Sequence, residues 1–402
     1  MSGSRLDNWI METEGLPALD RAALEELQLG RLNALLKRER ERAGFYKSLP
    51  EALCSLGDLS GLPFTTEADL AQNAAGMLLL SQREVERVIT DRTSGTAAPP
   101  KRVFYTEGDM AATVGFFAAG LGELVYPGDA VLITMPFSAG GGLGELIAKA
   151  ILRLEARPVR AGVGKSYGEL AALIEKEHPT AYVGMPVPLL SLLRFCGPMS
   201  LKRALVSADT LPQSVGEDAG RILGERLFPH YGSREIGLGG AVTCPAHEGM
   251  HIRENHIIAE IVDDEGSPLP DGELGLLAVT TIGLEAIPLI RYLTGDAARI
   301  LPGACRCGGV TKRLADVRRI AAGRDIAELD SALFCEPNLV DFAAFLSDGG
   351  LNIDALTLDG SAGRLLVLAK TVLPELQISV RARRAHMEDT PCYLAKRKFL
   401  TT

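Results

Sequence analysis

The sequence predicts an α/β protein, with a large N-terminal domain of layered α/β sheets that includes a β-rich subdomain, followed by a small α+β C-terminal domain. Three observations support this prediction. Strand-like and helix-like segments alternate from about Asp129, short β runs broken by turn residues begin near His251, and the pattern changes again after Arg318. Alternation of the first kind is typical of largely parallel sheets covered by helices. We therefore expect one domain at residues 1–317 and a second, mobile domain at 318–402.

The individual elements follow from the periodicity of apolar residues. Residues 20–45 have helical spacing, with Leu24, Leu27, Leu32 and Leu36 on one broad face. Strand and helix patterns then follow one another in AVLITMPF (130–137), GGLGELIAKAILRL (141–154), ARPVRAG (156–162), SYGELAALIEKEHP (166–179) and TAYVGMP (180–186). The run HIIAEIVDDEGSPLPDGELGLLAVTT (256–281) predicts short strands and turns.

Composition excludes several classes of function. Of the 402 residues, 47% are apolar and 23% charged, a mixture typical of a protein with a sizeable core. The net charge of −9 argues against a nucleic-acid partner, and no apolar run is long enough to span a bilayer. The N-terminus lacks the pattern of a signal segment, and seven scattered cysteines fit a reducing compartment better than a disulfide framework. We therefore expect a cytoplasmic protein without a nucleic-acid or membrane partner.

Two segments have the residue types of a phosphate-binding loop. Gly164-Lys165-Ser166 lies between a predicted strand and helix, but Val159 stands where a P-loop requires glycine, so a polar connection is the better interpretation. The other segment is RTSGTAAPPKRVF (92–104), which has three hydroxyls around Gly95, followed by Lys101. Hydroxyls, backbone N–H groups and an ammonium are the groups that bind a triphosphate. An ordinary solvent-exposed turn has the same composition, and the segment alone leaves both interpretations open.

Five ordered segments resemble one family, the phenylacetate–CoA ligase branch of the adenylate-forming (AMP-binding) acyl-CoA synthetase superfamily. In that branch the phosphate loop reads T-S-G-T-T-G-x-P-K, and other segments read LPFTTK-x-DL, YG-x-TE, PLIRYRTGD and, near the end of the chain, G-K-R. The similar segments of this chain are TSGTAAPPK (93–101), LPFTTEADL (62–70), HYGSREIGLGG (230–240), IPLIRYLTGDAARI (287–300) and PCYLAKRKFL (391–400).

The resemblance implies a reaction in two steps. A carboxylate attacks the α-phosphate of ATP to give an acyl-adenylate and pyrophosphate, and the thiol of coenzyme A then attacks the activated carbonyl. On this basis Lys396 bridges the carboxylate and the α-phosphate, and Glu235 binds Mg²⁺. The substrate, which the resemblance implies is an aromatic or similar small acid, is expected to bind near Phe137 and Gly142.

The resemblance also assigns the nucleotide site. Thr93, Ser94, Thr96 and Lys101 are expected to hold the β- and γ-phosphates, Asp296 to bind the ribose hydroxyls, and Tyr231 to lie against adenine, opposite the turn at Ser207 to Asp209. The full set of residues expected to bind ATP or AMP is Thr93, Ser94, Gly95, Thr96, Lys101, Ser207, Ala208, Asp209, Tyr231, Gly232, Ser233, Arg234 and Asp296.

The chain departs from the family pattern in several places, namely Ala97, Ala98, Arg234, Leu293, Ala395 and a hinge segment that is not recognisable within residues 315–330. Two alternatives to a coenzyme A ligase therefore stay open. One is an adenylation enzyme that passes the acyl group to another acceptor, and the other is a non-catalytic nucleotide-binding relative. A homodimer is also left open.

A second cofactor is predicted from cysteine and histidine spacing. Cys305 and Cys307 form a C-x-C pair in a glycine-rich turn, and Cys244 and His251 lie near each other upstream. The resembled branch has a similar arrangement, and four such ligands fill a tetrahedral zinc site. We therefore expect a structural Zn²⁺, with His247 as the reserve ligand, although small buried cysteines would give the same spacing.

Overall fold

The computed structural model describes residues 3–91, 101–137, 142–320, 326–347, 350–392 and 396–401. The helices in this part of the chain are α1 (Arg5–Glu14), α2 (Arg21–Glu41), α3 (Glu67–Met77), α4 (Glu107–Leu121), α5 (Leu143–Arg153), α6 (Tyr167–Glu177), α7 (Pro186–Cys196), α8 (Gln213–Leu223), α9 (Ile326–Leu333) and α10 (Leu365–Val372). The strands are β1 (Arg87–Asp91), β2 (Lys101–Tyr105), β3 (Ala130–Ile133), β4 (Arg157–Arg160), β5 (Ala181–Gly184), β6 (Arg203–Val206), β7 (Phe228–Tyr231), β8 (Ala241–Thr243), β9 (Met250–Ile252), β10 (Ile257–Val262), β11 (Gly275–Thr281), β12 (Tyr292–Ile300), β13 (Arg313–Arg319), β14 (Leu339–Ser347), β15 (Gly350–Thr357), β16 (Gln377–Arg384) and β17 (Leu400–Thr401).

Local sequence explains where several helices begin. In α1, α3, α4 and α6 a serine or threonine precedes the first turn and an acidic residue stands three positions later, forming a capping box. In α4, for example, the Asp109 backbone N–H donates to Thr106 Oγ1 at 3.0 Å, and the Asp109 carboxylate accepts from the Thr106 backbone N–H at 3.0 Å. These caps satisfy N–H groups that a helix start otherwise leaves unpaired.

The chain forms two compact units, and the first comprises Met1–Glu123 and His230–Arg318. Its sheet has the strand order β10–β11–β12–β13–β9–β8, and His230 and Tyr231 of β7 pair with β8. The β10–β11, β11–β12, β13–β9 and β9–β8 pairs are antiparallel, which agrees with the predicted β-rich subdomain. A separate antiparallel hairpin joins β1 and β2, with Asp91 opposite Lys101. The predicted phosphate loop connects these two strands.

The second unit comprises Leu124–Pro229 and Arg319–Thr402. Its parallel strands have the order β4–β3–β5–β6, and Phe228 and Pro229 of β7 pair with β6. The alternation of strands and helices predicted for residues 130–186 is confirmed, with element ends within a few residues of the predicted ones. The same unit holds a second sheet in the order β16–β15–β14–β17. The α/β fold class is therefore confirmed.

The C-terminal residues share one hydrophobic core with the parallel sheet. Leu329, Leu333 and Phe334 are buried in the same cluster as Leu189 and Leu190 of α7. The Ser191 hydroxyl is fully buried and donates to the Val340 carbonyl at 2.6 Å. A rotating domain at 318–402 stays a prediction, and its motion would have to separate this contact between α7 and β14.

One further sequence interpretation concerns the short segment before α6. Gly164-Lys165-Ser166 forms the polar connection into α6, and the Ser166 hydroxyl accepts from the Glu169 N–H at 3.1 Å, as a helix cap does.

Among the residues that the structure describes, none of the helices is both long enough and apolar enough to cross a membrane.

Candidate functional site

Part of the predicted phosphate loop lies outside the described residues. Thr93, Ser94, Gly95 and Thr96 fall there, as do the departures at Ala97, Ala98 and Ala395. The remaining predicted residues are described, and each is treated within its own unit. In the first unit the structure brings Lys101 to Glu235 and Tyr231 to Asp296, and in the second it brings Lys396 near Asp209.

Lys101 is held between two carboxylates. Its Nζ lies 2.8 Å from Glu235 Oε1 and 3.1 Å from Glu67 Oε1. The side chains of Lys101 and Glu235 are only 11% and 10% exposed, whereas that of Glu67 is 43% exposed. Burial lowers the pKa of Lys101, but the two negative charges outweigh burial and hold that pKa above its ordinary value. Lys101 therefore keeps its charge and can exchange a carboxylate for a phosphate.

Glu235 titrates in the complementary direction. Burial raises its pKa, but the neighbouring Lys101 ammonium overcomes this and holds the pKa of Glu235 below its usual value. The carboxylate therefore stays ionised in a buried position. An ionised oxygen ligand of this kind is what Mg²⁺ prefers.

The loop after β7 fixes the position of Glu235. A Cβ at Gly232 would lie 2.3 Å from the Leu238 carbonyl oxygen, so only glycine allows this close approach. Gly237 and Leu238 both have left-handed backbones, with φ of 75° and 65°. Thr113 Oγ1 donates to the Gly237 carbonyl at 2.8 Å. A leucine with a left-handed backbone is strained, and it keeps that backbone only where the surrounding loop is held in one conformation.

Two hydrogen bonds support the same loop, one from β2 and one within the loop itself. The Tyr105 hydroxyl donates to the Arg234 carbonyl, while the Arg234 side chain is exposed. The Leu238 N–H donates to the Ser233 carbonyl at 2.8 Å. Gly232, Ser233 and Arg234 thus contribute backbone to the loop, and their contacts with nucleotide stay predictions.

Tyr231 and Asp296 form a direct hydrogen bond. The Tyr231 hydroxyl donates to Asp296 Oδ2 at 2.8 Å, and Asp296 is buried on β12. Burial, and then the charge of Asp296, raise the pKa of Tyr231 well above its ordinary value. The hydroxyl therefore remains a donor at any physiological pH. The resemblance gave these residues separate tasks, and the structure adds that they contact each other.

In the second unit the turn at Ser207 to Asp209 meets the C-terminal segment. Ala208 has φ of 72°, a left-handed backbone that alanine adopts only at some cost. Asp209 accepts from the Thr210 N–H and the Arg397 N–H, each at 2.9 Å. Burial raises the pKa of Asp209, while the charges of Arg397 and Lys396 act in the opposite direction. Lys396 itself is exposed.

The predicted acyl-pocket residues lie together at the start of α5. Gly142 is the residue that precedes the helix, and Phe137 lies against the first turn. A Cβ at Gly144 would come within 2.9 Å of the Phe137 ring, so the glycine makes room for it. The Arg160 guanidinium lies 5.7 Å from the centroid of the same ring. A partly exposed aromatic ring beside a helix start is suited to a flat apolar ligand.

Cys244, His251, Cys305 and Cys307 lie together as predicted, and their ligand atoms are all within 4.8 Å of one another. Cys244 Sγ and Cys305 Sγ are 3.7 Å apart, and Cys307 Sγ is 3.3 Å from His251 Nε2. With Zn–S bonds of about 2.3 Å, two tetrahedral sulfur ligands lie roughly 3.8 Å apart. The cluster therefore has the size and the donor set of a zinc site, and His247 is not one of its members.

Hydrogen bonds around the cluster orient its ligands. His251 Nδ1 is 2.9 Å from Thr311 Oγ1, which leaves Nε2 directed at Cys307. The Gly309 N–H donates to Cys307 Sγ at 3.2 Å. Burial raises the pKa of Cys307 and lowers that of His251, so without a cation the buried group favours neutral side chains. A bound cation would stabilise the thiolate form.

Sequence analysis did not identify several charged residues that contact these sites. Glu67 lies within the segment LPFTTEADL, where the resembled branch has lysine, and this charge reversal was a signal that could have been noticed. Arg397, Asp330 and Asp341 form an ion-pair group beside Lys396. Arg397 stands at the arginine of the G-K-R segment, but no local pattern connects it with the two aspartates.

Comparisons with known proteins identify the family of this chain. A family model described as AMP-binding enzyme matches residues 92–284. The phenylacetate-coenzyme A ligase of Thermus thermophilus is 31% identical over 324 residues, which are 75% of this chain and 71% of that protein. The phenylacetate-coenzyme A ligase of Escherichia coli is 30% identical over 304 residues, covering 70% of this chain and 68% of that protein.

Solved structures with the same fold have lower sequence identity. A 2-hydroxyisobutyryl-CoA ligase in the postadenylation state aligns with a TM-score of 0.79 at 19% identity, covering 96% of this chain and 90% of that chain. An amide bond synthetase from Marinactinospora thermotolerans aligns with a TM-score of 0.51 at 20% identity, covering 74% of this chain and 65% of that one. At these identities the likeness concerns the fold alone.

Proposed function

Because the chain belongs to the phenylacetate–coenzyme A ligase family of AMP-binding enzymes, we propose that it activates a small carboxylic acid with ATP and transfers the acyl group to coenzyme A. In the first step a carboxylate oxygen attacks the α-phosphorus and pyrophosphate leaves. In the second the thiol attacks the carbonyl carbon and AMP leaves. The observation that carries the proposal is the buried Lys101–Glu235 pair at the end of the predicted phosphate loop.

Lys101 and Glu235 have complementary tasks in this proposal. The ammonium leaves one of its carboxylate partners and binds the β- and γ-phosphates, where it neutralises charge that develops on pyrophosphate. Glu235 is then released to hold Mg²⁺, which supplies Lewis-acid stabilisation of the same phosphates. The ionised state of Glu235 and its fixed loop support this assignment.

Nucleotide binding is assigned in this proposal to the residues that the family resemblance indicates. Asp296 accepts hydrogen bonds from the ribose, and the Tyr231 hydroxyl bond orients its carboxylate. Ser207, Ala208 and Asp209 form the adenine-binding turn. Lys396 bridges the attacking carboxylate and the α-phosphate, a position in which a preorganised cation stabilises the transition state more than the ground state.

The acid and the acyl acceptor are the finer parts of the proposal. We infer an aromatic or similarly flat acid from Phe137 at the start of α5. We infer coenzyme A as the acceptor from the family. Backbone hydrogen bonds hold residues 387–392 against residues 164–168. Because these bonds oppose a rotation of the C-terminal segment, they favour one alternative, an adenylation enzyme that passes the acyl group to another acceptor.

We also infer a structural Zn²⁺ at Cys244, His251, Cys305 and Cys307. All four positions of a tetrahedral site are filled by protein, which leaves none for substrate. Zinc would tie the turn at Cys305 and Cys307 to β9 and raise the stability of the first unit. A cytoplasmic location is expected from the sequence, and a homodimer is left open.

The test of the main proposal uses purified protein with ATP, Mg²⁺ and a panel of aryl and small aliphatic carboxylic acids. Pyrophosphate release is followed with and without coenzyme A, and thioester is detected by mass spectrometry. We expect release that depends on the acid and is abolished in Glu235→Gln, while exposed Glu175→Gln behaves as wild type. If no acid supports pyrophosphate release and calorimetry detects no binding of ATP or AMP, the protein is neither a coenzyme A ligase nor an adenylation enzyme with another acceptor.

The zinc inference has its own measurement. Elemental analysis of protein prepared without added metal should give about one zinc per chain. The variant Cys305→Ser should lose the metal and melt at a lower temperature, whereas Cys335→Ser, at an exposed position, should do neither. Unchanged metal content and melting temperature in the double variant of Cys305 and Cys307 would rule the site out.

A further inference from the structure

The segment that carries Lys396 is anchored to the second unit on both sides. Upstream, residues 387–392 make backbone hydrogen bonds to the turn before α6 and to the first two residues of that helix. They are Gly164 N–H to Cys392 O, Cys392 N–H to Lys165 O, Tyr167 N–H to Thr390 O and Gly168 N–H to Met387 O, at 3.2, 2.8, 3.0 and 2.9 Å. Downstream, β17 pairs in parallel with Phe345 and Leu346 of β14. Residues 396–399 thus lie between two fixed points.

Arg397 makes the closest contacts within this segment. Its Nε lies 2.7 Å from Asp330 Oδ1, and its Nη1 lies 2.6 Å from Asp341 Oδ1. Its Nη2 donates to the Phe342 carbonyl at 3.3 Å. The guanidinium also lies 4.4 Å from the centroid of the Phe342 ring. Three nitrogens of one planar group are therefore directed at three fixed acceptors, which determines its orientation.

Asp341 is 42% exposed, but the burial of Arg397 and Asp330 makes other arrangements of this pair unfavourable. The Arg397 side chain is 11% exposed and that of Asp330 is 4% exposed. A buried guanidinium that loses its carboxylate partner is strongly destabilised because it cannot give up its charge, so Arg397 cannot leave Asp330 without cost. Burial lowers the pKa of Arg397, but Asp341 and Asp330 outweigh it and keep the guanidinium charged.

The same residue connects this ion-pair group to the adenine-binding turn. The Arg397 backbone N–H donates to Asp209 Oδ2 at 2.9 Å. Lys396 is the adjacent residue, and its ammonium is near enough to Asp209 to act on the pKa of that carboxyl group. Fixing the guanidinium therefore fixes the peptide from which the Lys396 side chain departs.

We propose that Arg397 is a positioning residue for adenylate formation: its contacts with Asp330, Asp341 and Asp209 hold Lys396 at the turn formed by Ser207, Ala208 and Asp209. The inference rests on the proposed function, in which Lys396 bridges the carboxylate and the α-phosphate. It follows that the contacts of Arg397 serve the first half-reaction. Thioester formation from a preformed adenylate does not need the lysine in this place.

The experiment compares Arg397→Ala with Arg383→Ala, which removes an exposed arginine from β16. The acid that gives the fastest pyrophosphate release with wild type serves as substrate. Misplacement of a reacting group by about 1 Å costs roughly 10²-fold in rate, so Arg397→Ala should lower kcat for adenylation by about that factor. The KM for ATP and thioester formation from supplied acyl-adenylate should change by no more than about twofold. Methylguanidine should partly restore adenylation in Arg397→Ala, and Arg383→Ala should match wild type throughout.

Hydrogen exchange provides a readout that needs no activity. Peptides within 387–401 should exchange faster in Arg397→Ala and at the wild-type rate in Arg383→Ala. Equal exchange in all three proteins, equal adenylation, or a parallel fall of both half-reactions would overturn the proposal. If wild type releases no pyrophosphate while exchange still rises in Arg397→Ala, the anchoring role stands and it is the proposed function that fails.

Discussion

Lys101 and Arg397 are both enclosed cations surrounded by carboxylates, yet the acids around them titrate in opposite directions. Lys101 faces two carboxylates, and the pKa of the buried Glu235 is lowered. Arg397 pairs with Asp330 and Asp341 through its guanidinium and with Asp209 through its backbone N–H. Burial raises the pKa of Asp330 to about 7, with Asp209 and Asp341 adding to the rise against the guanidinium. For Glu235 the Lys101 ammonium and hydrogen bonds outweigh burial, whereas for Asp330 burial outweighs the guanidinium, and the neighbouring carboxylates add to it.

The two cations also differ in how many contacts hold them. Both side chains are 11% exposed, so exposure does not distinguish them. The lysine has two ion pairs, one of them with the half-exposed Glu67. The arginine has two ion pairs, a bond to a carbonyl, a backbone bond to Asp209 and an aromatic ring beneath it. We interpret Lys101 as an exchangeable cation that can leave a carboxylate for a phosphate, and Arg397 as a fixed cation that supports its neighbours.

The largest expected effect comes from removing the Lys396 side chain, which the fixed cation Arg397 supports. Loss of a preorganised donor costs about 10²–10³ in kcat, so Lys396→Ala should slow pyrophosphate release by that order while ATP affinity stays nearly unchanged. Thioester formation from supplied adenylate should be far less affected. The control is Lys398→Ala, two residues away. Equal adenylation rates for wild type and Lys396→Ala would mean that this lysine does not enter the reaction.

Removing the exchangeable cation should affect stability as well as binding. Lys101→Met leaves Glu235 buried without its ion-pair partner. Breaking a fully buried pair in this way lowers the free energy of unfolding by about 3–5 kcal/mol, which is the upper limit for this site. We expect a lower denaturation midpoint and a higher KM for ATP. Lys149→Met, at an exposed position of α5, should change neither. A variant as stable as wild type in urea titration would show that the Lys101–Glu235 pair contributes no net stability.

The opposite titration of the two clusters predicts a dependence on pH. Because the folded-state pKa of Asp330 lies near 7, above its ordinary value of 3.8, folding binds a proton there. The stability that this group contributes is fully present below pH 3.8 and is lost as the pH rises through about 7. Wild type should therefore melt at a lower temperature at pH 8 than at pH 6, and Asp330→Asn should reduce the difference. A steeper pH dependence in Asp330→Asn would contradict this assignment.

The smallest expected effect concerns the second partner of Lys101. Glu67→Gln removes a half-exposed competitor for the ammonium, and such pairs contribute about 0.2–1 kcal/mol. The KM for ATP should therefore fall by roughly two- to fivefold with little change in kcat. Glu175→Gln is the matched control at an exposed helix position. A higher KM in Glu67→Gln would instead mean that Glu67 helps to bind the nucleotide.

Local patterns predicted the α/β class and a set of candidate site residues, but not the charged residues from other elements that contact them. Lys101, Glu235 and Lys396 stand in short segments whose order resembles a family. Arg397 and Asp330 come from different elements, and nothing near either residue in the sequence indicates the other. Periodicity likewise predicted the strands of residues 130–186 without showing which distant elements cover them. That information depends on three-dimensional packing and not on local propensity.

The discontinuous second unit has a consequence for how the protein folds during synthesis. Val187, Leu189 and Leu190 of α7 leave the ribosome well before Leu329 and Phe334, which complete their core. The whole of His230–Arg318 is made in between. Contacts at such separation form slowly, because the entropy of closing a long loop is lost before the contacts stabilise the chain. The apolar face of α7 is therefore the surface of a nascent chain on which we expect a chaperone to act.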